Sequence, residues 1–106
     1  MTLFNPEAFS TAIHRGAIEW NRHALERMME RGISRRDVIE VILSGEPIEE
    51  YVADYPYPSV LMLGNSDGAA LHVVVSFNSE QGTLYVITAY VPDTMHFLDD
   101  YKTRRN

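Results

Sequence analysis

Apolar positions change their period part-way along the chain. Up to Leu43 they recur every three or four residues; from Ile48 onward they alternate or run together in short blocks. The first pattern predicts helices. Asn5-Pro6-Glu7 reads as an N-cap, a proline at the first helical position and an early acid. Phe9, Ala12 and Ile13 then share one face before Gly16 stops the helix. Ala17 to Trp20 is a short extended piece. Asn21 caps a second helix over about Arg22–Arg31, with Trp20 and Leu25 placed as a hydrophobic staple and Gly32 as a left-handed C-cap. Ser34 with Asp37 has the spacing of a capping box and opens a third helix. Val38, Ile39, Val41, Ile42 and Leu43 fill it, and Gly45-Pro47 closes it. So short a gap between the second and third helices predicts an angular pair.

The second pattern predicts strands: Ile48 to Asp54, Ser59 to Gly64, Ala69 to Asn78 and Thr83 to Val91. Asn65-Ser66-Asp67-Gly68 and Ser79-Glu80-Gln81-Gly82 are turns between them, so the last three strands should form a meander. Tyr55-Pro56-Tyr57-Pro58 is an extended connection. Pro92-Asp93 ends the last strand, and Thr94 to Tyr101 is expected to add one or two helical turns. The fold class is α+β, with N-terminal helices packed on one face of an antiparallel β-meander sheet. Leu25, Met28, Val41, Ile42, Val73 and Val75 should be buried. Residues 1–106 read as a single domain.

The chain has 106 residues, 45% of them apolar, which suits one domain with a packed core. It has no Cys, which excludes a disulfide framework, a thiolate zinc site and a cysteine nucleophile. No apolar run is long enough to span a membrane, and the first twenty residues lack an apolar signal core, so a cytoplasmic protein is expected. Net charge is −6, but it is unevenly spread. Six Arg lie in residues 1–36, residues 37–101 carry acids and no Lys or Arg, and Lys102, Arg104 and Arg105 close the chain. Any anion-binding surface must draw on the first third or the tail.

Helix two carries the most informative pattern. Leu25, Met28 and Met29 cluster on one side as core, and His23, Arg27 and Arg31 repeat every four residues on the other. At the second helical position the helix dipole disfavours imidazolium, so a neutral His23 could serve as a base near pH 7. Arg27 and Arg31 could hold a phosphate. The set suits metal-independent phosphodiester transfer; a solvated helix face of Glu–Arg pairs fits the same residues. His72 in an apolar strand reads first as packed, and Tyr90 as either a proton donor or an aromatic covering the sheet edge. No H-x-x-x-H or H-E-x-x-H spacing points to a metal, and no cofactor is expected.

The ordered set His23-Ala24…Arg27-Met28…Arg31-Gly32-Ile33-Ser34, Gly45-Glu46…Ile48-Glu49, Leu71-His72-Val73-Val74, Thr88-Ala89-Tyr90-Val91-Pro92-Asp93 and Lys102-Thr103-Arg104-Arg105 resembles the bacterial and archaeal domain of unknown function 4258 family. The resemblance covers residues 18–106 and leaves 1–17 as an added N-terminal helix. It implies a fold similar to RelE-like and colicin-type ribonuclease toxins. On that similarity the family's His, Arg and Thr/Tyr positions fall on His23, Arg27, Thr88 and Tyr90, with His72 a further candidate; with Arg31 added from the helix-two spacing, the expected catalytic set is His23, Arg27, Arg31 and Tyr90. The implied partners are RNA or a protein such as an antitoxin, with no membrane. The other reading is a noncatalytic domain that binds a protein or forms a homodimer through its sheet edge.

Hairpin register decides where Tyr90 lies. With Asn78 opposite Thr83, His72 should face Ala89, and Thr88 and Tyr90 should share the helix-covered face with Leu71, Val73 and Val75. Tyr90 is then expected near His23, and His72 is structural. A one-residue slip would instead bring His72 beside Tyr90.

Overall fold

The computed structural model describes residues 3–105. Its elements are α1 (Pro6–His14), β1 (Ile18–Trp20), α2 (Arg22–Arg31), α3 (Arg35–Ser44), β2 (Glu46–Tyr51), β3 (Ser59–Ser66), β4 (Ala69–Asn78) and β5 (Thr83–Tyr90). Caps explain the helix boundaries. The Asn5 and Asn21 side chains accept from the amides of Ala8 and Ala24, and Ser34 and Asp37 make both bonds of a capping box. α2 stops at Gly32, whose φ of 69° lies in the left-handed region.

The sheet order is β1-β5-β4-β3-β2. β2 to β5 form the expected antiparallel meander. β1 lies parallel to β5, with Ile18 opposite Leu84, so the sheet is mixed. A parallel pair needs a long crossover, and everything between Trp20 and Thr83 supplies it. The closing segment also departs from expectation: Thr94 to Tyr101 forms turns and one antiparallel bridge, Phe97 with Arg104, instead of a helix. The backbone pairs across a turn instead: the Leu98 amide donates to the Thr103 carbonyl and the Arg105 amide to the His96 carbonyl, while the Asp93 carboxylate accepts from the amides of Met95 and His96 and the Asp100 carboxylate from those of Lys102 and Thr103.

Side chains from all three helices — Phe9, Ala12, Met28, Val38, Val41, Ile42 — share one cluster with Val60, Met62, Leu71, Val73, Val75, Leu84, Val86 and Ala89 of the sheet. α2 faces this core with Ala24 and Met28. Leu25 is only partly buried, and Met29 is 81% exposed, contrary to the expected core trio. The small Ala24 takes the inward position one turn before Met28, which rotates Met29 outward. Gly45 seats α3 against β3: a Cβ there would stand 2.5 Å from the carbonyl oxygens of both Leu63 and Val41.

Candidate functional site on the sheet face opposite the helices

The expected hairpin register holds from Asn78 opposite Thr83 to Val75 opposite Val86. Ile87 then enters as an extra residue, and the pairs become Val74–Thr88, Val73–Ala89 and His72–Tyr90. This β-bulge flips the end of β5. Ala89 turns into the helix-side core, while Thr88 and Tyr90 join His72 and Val74 on the opposite face. The placement of Tyr90 beside α2's core face is thereby corrected. The sequence carries a faint trace of the bulge: the inward positions Leu84, Val86 and Ala89 are spaced two and then three residues apart.

His72 is 0% exposed. Its Nδ1 lies 3.2 Å from the Tyr90 hydroxyl, and its Nε2 lies 2.6 Å from the Tyr101 carbonyl oxygen. A carbonyl can only accept, so Nε2 carries the proton and donates it. In the neutral ring Nδ1 is then the acceptor, and Tyr90 donates to it. Burial pushes the pKa of His72 down, against the opposing influence of the Tyr101 carbonyl, so the neutral form is favoured. Burial likewise pushes Tyr90 up, keeping its hydroxyl protonated.

The imidazole meets the Phe97 ring edge-on, with centroids 4.7 Å apart. Phe97 is buried against Leu61 and Val74. The Arg104 guanidinium lies over the Phe97 ring, 4.8 Å from its centroid. Arg104 makes two hydrogen bonds to Glu49, at 2.7 and 3.1 Å, and Tyr51 donates to the same carboxylate at 2.7 Å. Burial pushes the Glu49 carboxyl up, but the bonds from Arg104 and Tyr51 outweigh it and hold it below its usual range. Burial and the Glu49 acceptor push the Tyr51 phenol up to about 12.

The residues expected from helix two divide. Arg31 reaches the open edge of β5 beyond β1, donating to the Ala89 carbonyl at 2.8 Å and lying 3.4 Å from the Thr88 hydroxyl. It therefore borders the His72–Tyr90 face. Arg27 pairs with Glu30 at 3.2 Å on the exposed helix surface, and His23 is exposed at the start of the same helix. The structure joins Arg31, Thr88, Tyr90 and His72, and it leaves His23 and Arg27 outside that set. Sequence reasoning missed Glu49, Tyr51 and Arg104 as members of one cluster. Glu49 and Arg104 are 55 positions apart, and no periodicity links them. Among the described residues no group of His, Asp and Glu is placed to hold a metal ion, and no helix is long and apolar enough to cross a membrane.

No curated protein and no solved structure matches the chain. The family model described as "Domain of unknown function (DUF4258)" matches residues 20–91, which include α2, α3, the whole meander, His72 and Tyr90. α1 and the segment from Pro92 onward fall outside the match. Because the match covers more than half of its residues, the chain belongs to the DUF4258 family.

Proposed function

We propose that this domain cleaves RNA without a metal ion, at the sheet face that carries His72 and Tyr90. One observation carries the reading: a neutral imidazole hydrogen-bonded to a tyrosine, bordered by two guanidiniums, Arg31 at Thr88 and Arg104 at Phe97. Phosphodiester transfer needs a proton carrier and cations, and no covalent enzyme nucleophile. In the reaction the RNA 2′-oxygen bonds to phosphorus and gives its proton to His72. The P–O5′ bond then breaks, and the departing oxygen takes that proton from the imidazolium. Arg31 and Arg104 offset the charge that builds on the phosphoryl oxygens, and Tyr90 holds the imidazole. Arg27 and His23, on the exposed face of α2, meet the RNA backbone on approach. The kinship with RelE-like and colicin-type nucleases suggested by the residue pattern is part of this proposal, as is an antitoxin-like protein partner.

The test is cleavage of a fluorogenic RNA oligonucleotide in the presence of EDTA, with a 2′,3′-cyclic phosphate as product. His72→Ala should abolish it, and Tyr90→Phe should lower it. Cleavage that survives His72→Ala, or none from any form of the protein, ends the reading.

A second reading, assembly through the sheet edge, rests on a separate observation. Beyond Val86 the outer edge of β5, where Arg31 meets the Ala89 carbonyl, has no partner strand among the described residues, and Ile87 and Val91 beside that edge are 41% and 60% exposed. Light scattering that gives a dimer, reduced to monomer by Ile87→Lys, would support it.

A further inference from the structure

The segment after β5 covers the His72 face and is fastened there in three ways. The Tyr101 carbonyl holds Nε2 of His72. Phe97 fills the space over Leu61, Val74 and the imidazole ring. Lys102 pairs with Glu46 at 3.0 Å, and Arg104 pairs with Glu49 at 2.7 Å, so a basic tail is clamped to the acidic strand β2. The face it covers belongs to the family-matched core, whereas the segment lies outside the match.

We propose that residues 92–105 are a releasable plug that silences His72 by occlusion and by fixing its tautomer. This rests on the reading of His72 as the proton carrier. In the closed form neither ring nitrogen can accept a substrate proton. Nε2 already bears hydrogen, because the Tyr101 carbonyl can only accept, and Nδ1 is taken by the Tyr90 hydroxyl. Withdrawal of the carbonyl removes the constraint. A hydroxyl donates or accepts, so Tyr90 can then take a hydrogen bond from Nδ1–H, which leaves the Nε2 lone pair free as a base facing the opened surface.

The fastenings suit release. Both ion pairs are partly exposed, and such pairs are individually weak and screened by salt. RNA phosphates compete for the same cations that Glu46 and Glu49 hold, so the substrate class itself favours the open form. Lys102, Arg104 and Arg105 would then pass from carboxylates to phosphates. A chain of net charge −6 thereby keeps its basic tail folded against itself until a polyanion arrives.

The test is carbethoxylation of the histidines in the full chain by diethyl pyrocarbonate, read residue by residue by mass spectrometry. Exposed His23 serves as the internal standard. In the unaltered protein His72 should react far more slowly than His23, and comparable rates overturn the plug. Lys102→Glu/Arg104→Glu should raise the His72 rate roughly tenfold, as a shift of one decade in the opening equilibrium requires. An unchanged rate in a folded variant overturns the proposal. If the double variant does not fold, a salt titration of the unaltered chain to about 1 M decides instead. His72 reactivity should climb while His23 stays level, and a flat response overturns the plug. Nitrogen-15 shifts of the His72 ring should move from the Nε2–H to the Nδ1–H tautomer as reactivity rises. RNA cleavage measured on Phe97→Ala, which loosens the segment and keeps Arg31 and Arg104, separates the two claims. In that variant a reactive His72 without EDTA-resistant cleavage supports the plug and ends the catalytic reading.

Discussion

The two faces of the sheet are held in different ways. The face under the helices is closed by α1, α2 and α3 with a continuous apolar cluster, and its β4 residues Leu71, Val73 and Val75 all belong to it. The face under residues 92–105 has a small apolar patch, Leu61, Val74 and Phe97, set among His72, Tyr90, Tyr51, Glu49 and Arg104. Burial of carbon stabilises the first face in proportion to the area removed from water. The second depends on directional contacts that single proton or charge changes can break. One sheet therefore separates an apolar face that holds the fold from a face of polar, directional contacts, and successive residues of β4 alternate between them.

That contrast sets the expected order of effects. Leu84→Ala, in the helix-side cluster, should cost about 2–5 kcal/mol, the usual range for truncating a buried leucine. Phe97→Ala removes a larger buried ring but should cost less in global unfolding, because the plug can detach as a local unit while the sheet stays intact. Urea melts followed by circular dichroism compare the two. A larger loss for Phe97→Ala would mean that the plug is integral to the cooperative fold. Gly45→Ala comes next. Its Cβ meets two backbone carbonyls that cannot rotate away, so α3 must shift from β3, at a cost of roughly 1–3 kcal/mol. A neutral result in the same melts would show the α3–β3 contact to be softer than its spacing implies.

Acid should affect the chemical face first. Burial holds the His72 pKa below its unfolded value of about 6.5. Between those two values the unfolded chain binds a proton that the native chain does not, so stability falls as pH drops below about 6.5. Glu49 is shifted in the same direction for a different reason, the hydrogen bonds that Arg104 and Tyr51 make to its carboxylate. Its folded pKa is depressed, so its contribution is present at neutral pH and is lost only as pH falls through the carboxylate range. Thermal melts from about pH 7 to 5 should therefore show a declining midpoint in the native chain and a flatter one in His72→Gln. Equal slopes would remove His72 from the acid response.

Much of the fold could be read from the sequence because its signals are local. Asn21 and Gly32 bracket α2, Ser34 and Asp37 start α3, and the alternation of β4 marks its inward residues. The site could not be read in the same way. Its position depends on one bulged residue, Ile87, which reverses the facing of Thr88 and Tyr90. It depends also on Arg104 returning to Glu49 from the far end of the chain. The parallel pairing of β1 was equally nonlocal. The closing segment was not legible either, because its backbone pairs Leu98 with Thr103 and Arg105 with His96, contacts that no local period announces.

The smallest expected effect tests which way α2 faces. Met28 and Met29 are neighbours with the same side chain, so composition and helix propensity are shared, and only their facing differs. Met28 is 2% exposed within the helix-side cluster and Met29 is 81% exposed. Met28→Ala should cost about 2–5 kcal/mol, because a buried cavity opens beneath the helix. Met29→Ala should change stability by less than about 0.5 kcal/mol, because it removes only solvated surface. Alanine also favours helix slightly over methionine, which tilts that small change towards stabilisation. Paired urea melts measure both. Similar losses at the two positions would mean that α2 is rotated, or that a second surface covers Met29 in solution; a concentration-dependent midpoint for Met29→Ala alone would identify the latter.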